Sequence, residues 1–292
     1  MIKSKKVKAL LLSITTLSVL GTSSCGLSRQ ELVARAAQGA ITASIAYLTP
    51  ISAAQENQIG QQAIAEVAKE FKEYTANADL VNYVKSVGDK VISQANRKNE
   101  LNYKVFILDS PVVNAFTIPG GAIFITTESL KYIKDESELV GVLAHELGHN
   151  ENRHPVETIK RSMAVQGLAQ GALSANDPAV LRIIAQVSLD LILRGFSRAQ
   201  EKQADETGAV ILSKLSYDTD GLSGFLRSLL SLSDDPKGLI KLFSTHPGSQ
   251  ERIDNLNKFI ANKNIKNENG TNNQSTFAKY MSVLPPKVSL KN

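Results

Sequence analysis

The sequence predicts a mainly α-helical α+β domain with a small sheet, and three observations carry that expectation. Most of the chain repeats its apolar residues at helical spacing, and one central stretch switches to strand-like alternation. The third is composition: 42% of the 292 residues are hydrophobic, enough for a real core and too many for a disordered chain.

Taken in order, residues 1–25 read as a secretion leader, with Lys3, Lys5, Lys6 and Lys8 ahead of an apolar run from Ala9 to Leu20. That run is well short of the roughly 20 residues a membrane-crossing helix needs. Residues 26–51 form an Ala-rich linker, and the domain is expected over 52–260. Ile59, Ala63, Val67 and Phe71 predict a helix over Ser52–Tyr74, and Leu80, Val84, Val87 and Val91 predict another over Asp79–Ala95. From Leu101 the period changes. Tyr103, Val105 and Ile107 alternate, and the runs Val113–Ile118 and Ala122–Thr126 flank Pro119-Gly-Gly121, a β-hairpin signature.

Asp135-Glu-Ser-Glu138 is a capping-box pattern that opens a helix carrying Leu139, Val142, Leu143 and Leu147. Helical runs follow over Val156–Leu173 and Ala179–Leu193, the second too charged for a membrane span. Ser197 with Gln200 caps a further helix through Ser213. Residues 261–292, rich in Asn, Lys and Ser, are expected to be disordered.

The net charge is +5, but the four leader lysines meet no acidic residue before Cys25, so removing the leader takes it from +5 to +1. Nucleic-acid binding through a clustered basic face is therefore not expected. Cys25 is the sole cysteine, which excludes an intramolecular disulfide. The stretch Leu20-Gly-Thr-Ser-Ser-Cys25 resembles a bacterial lipoprotein signal with Thr22 in place of the usual leucine. It implies a lipid anchor at Cys25, with ordinary cleavage as the alternative. Gly26 lacks the aspartate of an inner-membrane retention signal, which in a Gram-negative cell implies an outer-membrane lipoprotein facing the periplasm.

The chemistry concentrates in Ala144-His-Glu-Leu-Gly-His-Asn-Glu-Asn-Arg-His-Pro155, which holds three of the four histidines. Residues four apart share a helix face, so His145 and His149 can present two imidazoles to one metal ion. Glu146 flanks the same spot, placed to take a proton from an attacking water, and His-Glu-x-x-His is the spacing that zinc hydrolysis needs. A third ligand is required. His154, nine residues after His145, misses the spacing of the three-histidine pattern and is assigned to packing. Glu201 is the better candidate, with Asp205 on the same helix face to accept a ligand's spare ring N–H. From spacing alone that pair reads equally well as a solvated helix face.

His145-Glu-Leu-Gly-His149 with Arg153-His154-Pro155, then Glu201-x-x-Ala-Asp205, then Thr245-His246-Pro247 with Arg252, together with Asn114-Ala-Phe-x-x-Pro-Gly-Gly121, resembles the HtpX-like and CAAX-prenyl-endopeptidase-like zinc metallopeptidases over about Ser52–Asn257. The resemblance implies a zincin-like domain with a small sheet beside the active-site helix, a soluble periplasmic lipoprotein branch, and one Zn²⁺ per chain. It implies His145, His149 and Glu201 as metal ligands, Glu146 as general base then acid, and Asp205 and Arg252 supporting them. His246 would either stabilise the oxyanion or fill the open position on the zinc. Asn114, Ala115 and Phe116 form the candidate strand edge for an extended substrate, with Phe116 in the core as the plainer reading. The implied function is a membrane-tethered endopeptidase acting on unfolded or misassembled envelope proteins. The rival is a zinc-containing chaperone or assembly factor for outer-membrane proteins, with latent or secondary proteolysis.

Overall fold

A computed structural model describes residues 50–165, 195–231, 246 and 250–286. The leader, Cys25 and nearly all of the 26–51 linker lie outside the described residues, as do the Ala179–Leu193 run and the Val156–Leu173 run beyond 165.

Helix α1 (Ala53–Glu70) opens with a capping box in which Ser52 and Gln55 satisfy each other's backbone N–H groups. The helix expected to reach Tyr74 stops at Glu70. Phe71 is extended, and Lys72–Glu73 form the short strand β1, antiparallel to β2 (Lys104–Asp109). Helix α2 (Ala78–Ile92) is capped by Asn77. The predicted hairpin is present: β3 (Ala115–Thr117) pairs antiparallel with β4 (Ala122–Thr126). Between them Gly120 and Gly121 take φ of 82° and 95°, left-handed backbone that favours glycine. Strand β4 also pairs in parallel with β2, giving the order β1-β2-β4-β3.

Helices α3 (Thr127–Tyr132), α4 (Glu136–Glu151) and α5 (His154–Val165) follow, then α6 (Arg198–Lys214), α7 (Gly221–Leu230), α8 (Gln250–Asn262) and α9 (Gln274–Met281). Helix α4 is the spine. Every residue from Glu136 to Asn150 is buried, so it is enclosed all round rather than one-sided as its apolar spacing suggests. Its polar side chains must therefore find partners inside the protein. Among the described residues, no helix is long and apolar enough to cross a membrane.

The expected disorder beyond residue 260 is corrected through Pro286. Asp218 N–H donates to Thr271 O, Thr271 N–H donates to Ser216 O, and the first-turn Glu136 N–H of α4 donates to Asn272 O. Phe277 is buried and Tyr280 stacks on Tyr83 at 4.2 Å. The polar composition hid an apolar face formed by Phe277, Tyr280, Met281 and Leu284 at helical spacing.

At the start of α4, Asp135 accepts the Glu138 N–H, while the Glu138 carboxylate accepts the Lys134 N–H. Burial lifts the Glu138 carboxyl from 4.5 to about 7. Because the folded state binds this proton more tightly, the native protein holds more protons than the unfolded chain between those two values, and stability falls as pH rises through them. The span corresponds to up to about 3 kcal/mol. Glu138→Gln keeps the acceptor without the charge. Its melting temperature is expected to exceed that of the wild type at pH 8 and to converge on it near pH 5; parallel curves would refute the assignment.

Candidate active site

The site forms where α4 crosses α6. Gly148 makes the approach possible, since a Cβ there would stand 2.9 Å from Ala204 O and 3.0 Å from Thr207 Cβ. The contact brings Glu201 and Asp205, one turn apart on α6, against His145 and His149, one turn apart on α4. His246, between α7 and α8 in the chain, closes the group. His145, His149, Glu201 and His246 are all buried, and each offers a ligand atom within 4.8 Å of the others. His145 Nε2 lies 3.1 Å from His149 Nε2 and 3.2 Å from His246 Nδ1, while Glu201 Oε1 is 3.1 Å from His246 Nδ1.

The surrounding bonds point the inner atoms at one another. His145 Nδ1 is 2.9 Å from Asp205 Oδ1, so its N–H is directed outward and its Nε2 lone pair inward. Arg252 holds Asp205 through Nε at 2.6 Å and Nη2 at 2.8 Å, and its Nη1 is 2.8 Å from Glu201 Oε2. Such a two-pronged grip orients both carboxylates. Burial raises the Asp205 carboxyl, but Arg252 and His145 outweigh it and hold it at about 2. For Glu201 burial is again outweighed, by His246 and Arg252, and the carboxyl stays below its ordinary value. Burial, reinforced by the neighbouring histidines, keeps His149 neutral and so able to ligate.

Glu146 is buried, and its Oε2 has no hydrogen-bond partner among the described residues. Burial raises its carboxyl, the direction a general base needs to work near neutral pH. Its Oε1 is 3.3 Å from His246 Nε2, so the His246 ring lies between the base and the ligand group. Its own affinity for a proton is lowered by burial but raised more by Glu201 and Glu146.

These residues fit a divalent cation. Inward-facing imidazole nitrogens 3.1–3.2 Å apart need protons or a cation between them, and two histidines, a carboxylate and a further nitrogen form a donor set of the kind zinc takes. The sequence profile of peptidase family M48 matches residues 78–260, well over half the chain. The chain belongs to peptidase family M48. Metallopeptidases of this family use zinc, and the four-donor group can hold it. The mitochondrial metalloendopeptidase OMA1 of Schizosaccharomyces pombe is 27% identical over 219 residues, covering 73% of this chain and 63% of that protein. The β-barrel assembly-enhancing protease of Escherichia coli is 25% identical over 220 residues, 70% of this chain and 43% of that protein. Metalloprotease YcaL of Escherichia coli is 28% identical over 221 residues, 72% of this chain and 82% of that protein. The chain thus spans less than two thirds of OMA1 and less than half of the assembly-enhancing protease.

The strand residues Asn114, Ala115 and Phe116 are buried, and β3 is the sheet's edge strand beside β4. Asn114 O and Ile118 N–H bond toward β4, so by antiparallel alternation the backbones of Ala115 and Thr117 face the other way. Phe116 packs its ring 4.9 Å from Phe124, so it is core, as the plainer reading held. Thr117 Oγ1 accepts from Asn150 Nδ2, tying the edge strand to the active-site helix.

Two residues were missed in the sequence. Phe196 stacks on His149 at 4.0 Å and 22°, covering the ring just ahead of the α6 cap. Asn150 carries no spacing signal at all. An aromatic residue immediately before a capping box could have flagged the first.

The crossing yields a paired prediction. Gly148→Ala is expected to cost about 1–3 kcal/mol and to weaken zinc binding, because backbone must move. Gly208→Ala, whose Cβ would meet His145 N at 3.4 Å, is expected to be neutral or stabilising through helix propensity. Equal melting temperatures for the two variants would show that the crossing distance does not depend on Gly148.

Proposed function

We propose that this chain is a zinc endopeptidase tethered to the cell envelope, which hydrolyses unfolded or misassembled envelope proteins. The observation that carries the hydrolytic reading is a buried, hydrogen-bond-deficient Glu146 carboxylate one residue from a metal-ligand histidine, with its proton affinity raised by burial. Zinc, when bound, supplies Lewis acidity, lowering the pKa of a coordinated water and polarising the scissile carbonyl. His145, His149 and Glu201 would hold it. Glu146 takes the proton of the attacking water and delivers it to the leaving amine. Asp205 and Arg252 keep the ligands oriented. The backbones of Ala115 and Thr117 that face away from β4 belong to buried residues, so β3 takes an extended peptide as a further strand only once that edge is uncovered.

Envelope substrates are supported by the leader, the lipobox-like Leu20–Cys25 and a relative named for β-barrel assembly. The anchor at Cys25, the outer membrane and the periplasmic face belong to the same proposal.

One observation favours a second reading, an assembly factor with latent proteolysis. His246 Nδ1 sits among the ligand atoms, 3.2 Å from His145 Nε2, where an active site keeps an open position. In this arrangement His246 closes the site and must swing away before it could donate to an oxyanion.

Protein from residue 26 onward, assayed on casein with zinc content determined, separates the readings. Glu146→Gln is expected to keep its zinc and lose at least about 10²-fold in cleavage, the contribution of a general base. His246→Ala is expected to cleave faster than wild type if the histidine blocks the site, and more slowly if it serves the oxyanion. Cleavage that survives in Glu146→Gln would overturn the mechanism, and no cleavage by any zinc-loaded form would favour the assembly-factor reading.

A further inference from the structure

The two α4 ligands are supported differently. His145 leans on a carboxylate, Asp205, but His149 Nδ1 lies 2.9 Å from His154 Nδ1, and His154 Nε2 lies 2.9 Å from Gln203 Oε1. We propose that His154 and Gln203 are positioning residues that fix the tautomer of His149, so that its Nε2 lone pair is presented to the metal. The inference rests on the reading of His149 as a ligand.

With the Gln203 amide oxygen facing His154 and both rings neutral, the chemistry has one consistent solution. An amide oxygen only accepts, so His154 Nε2 carries the hydrogen. A neutral imidazole carries a single N–H, so His154 Nδ1 is bare and accepts from His149 Nδ1. The His149 lone pair is then left on Nε2, the atom 3.1 Å from His145 Nε2. Turning the Gln203 amide about would reverse each bond in sequence. His149 Nε2 would then carry a hydrogen aimed into the donor group and could not ligate. The polarity of the relay and the capacity of His149 to bind metal are one question.

The chain bends sharply to make this contact. Arg153, between α4 and α5, has φ of 59°, a left-handed backbone that a residue with a Cβ holds only where the surroundings require it. The reversal places His154 at the first turn of α5, 1% exposed, directly under His149. Phe196 stacks on the His149 ring, so the ring plane and the ring tautomer are each set by a separate neighbour. A neutral relay at His149 also avoids a further carboxylate in a site that already buries Glu146, Glu201 and Asp205.

The test uses the zinc-loaded protein and two readouts besides activity. Long-range ¹H–¹⁵N spectra report which nitrogen of each ring carries hydrogen, and with four histidines the His154 signals are assigned by their loss in His154→Asn. The expected result is hydrogen on Nε2 of His154 and on Nδ1 of His149. Zinc affinity, by competition with a chelating dye, is expected to fall about 10- to 100-fold in His154→Leu. It is expected to stay close to wild type in His154→Asn, whose amide oxygen replaces the Nδ1 acceptor. Hydrogen on His154 Nδ1, undiminished affinity in His154→Leu, or equal losses in both variants would overturn the relay. Should His154→Leu fail to fold, the wild-type spectrum is compared with and without zinc: hydrogen that stays on His149 Nδ1 after zinc removal supports the relay, and hydrogen that moves to Nε2 overturns it. A wild type that takes up no zinc overturns the ligand reading itself, a result distinct from bound zinc with reversed tautomers.

Discussion

The distance between α4 and α6 is the constraint on which the site depends. Neither helix carries a complete set of ligands: α4 brings two imidazoles and the base, α6 brings a carboxylate and the support for one imidazole. They become one site only because Gly148 presents bare backbone to Ala204 and Thr207. Any side chain at that crossing would separate groups that need to meet within hydrogen-bond reach. Precision here comes from close packing, which transmits a fraction of an ångström of misfit directly to the chemistry.

Enclosing such a site creates a problem of charge. Glu146, Glu201 and Asp205 are buried together with one guanidinium, that of Arg252. Burying ions costs several kcal/mol each unless they are paired and hydrogen-bonded. Arg252 offsets one of the three negative charges, and a divalent cation offsets the other two. A zinc ion held there would thus be part of the electrostatic balance of the core, and folding and metal loading would be coupled. Without it, the raised proton affinities of Glu146 and His246 show where protons take over that role.

Much of this was legible in the sequence because it follows from helical period alone. His145, Glu146 and His149 share a face as soon as α4 exists, and the caps at Asp135 and Ser197 mark where the two key helices begin. Glu201 and Asp205 were ambiguous, because spacing says they are neighbours but not what they face. Strand β1 escaped notice since two exposed residues, Lys72 and Glu73, have no period to read. Helix α9 was misread for the opposite reason: its apolar spacing was present, but the surrounding Asn and Lys outweighed it. Asn150 and the hydrogen bonding of His154 were invisible, since the first acts through a contact with β3 and the second through a chain reversal.

The hydrogen bond from Glu136 to Asn272 has a consequence in time. Residue 136 leaves the ribosome long before residue 272, so the first turn of the ligand-bearing helix waits for its partner while much of the chain is still being made. The strap across Tyr217 that delivers Asn272 arrives at the same late moment. The footing of the ligand-bearing helix is thus completed only once residues beyond α8 are in place.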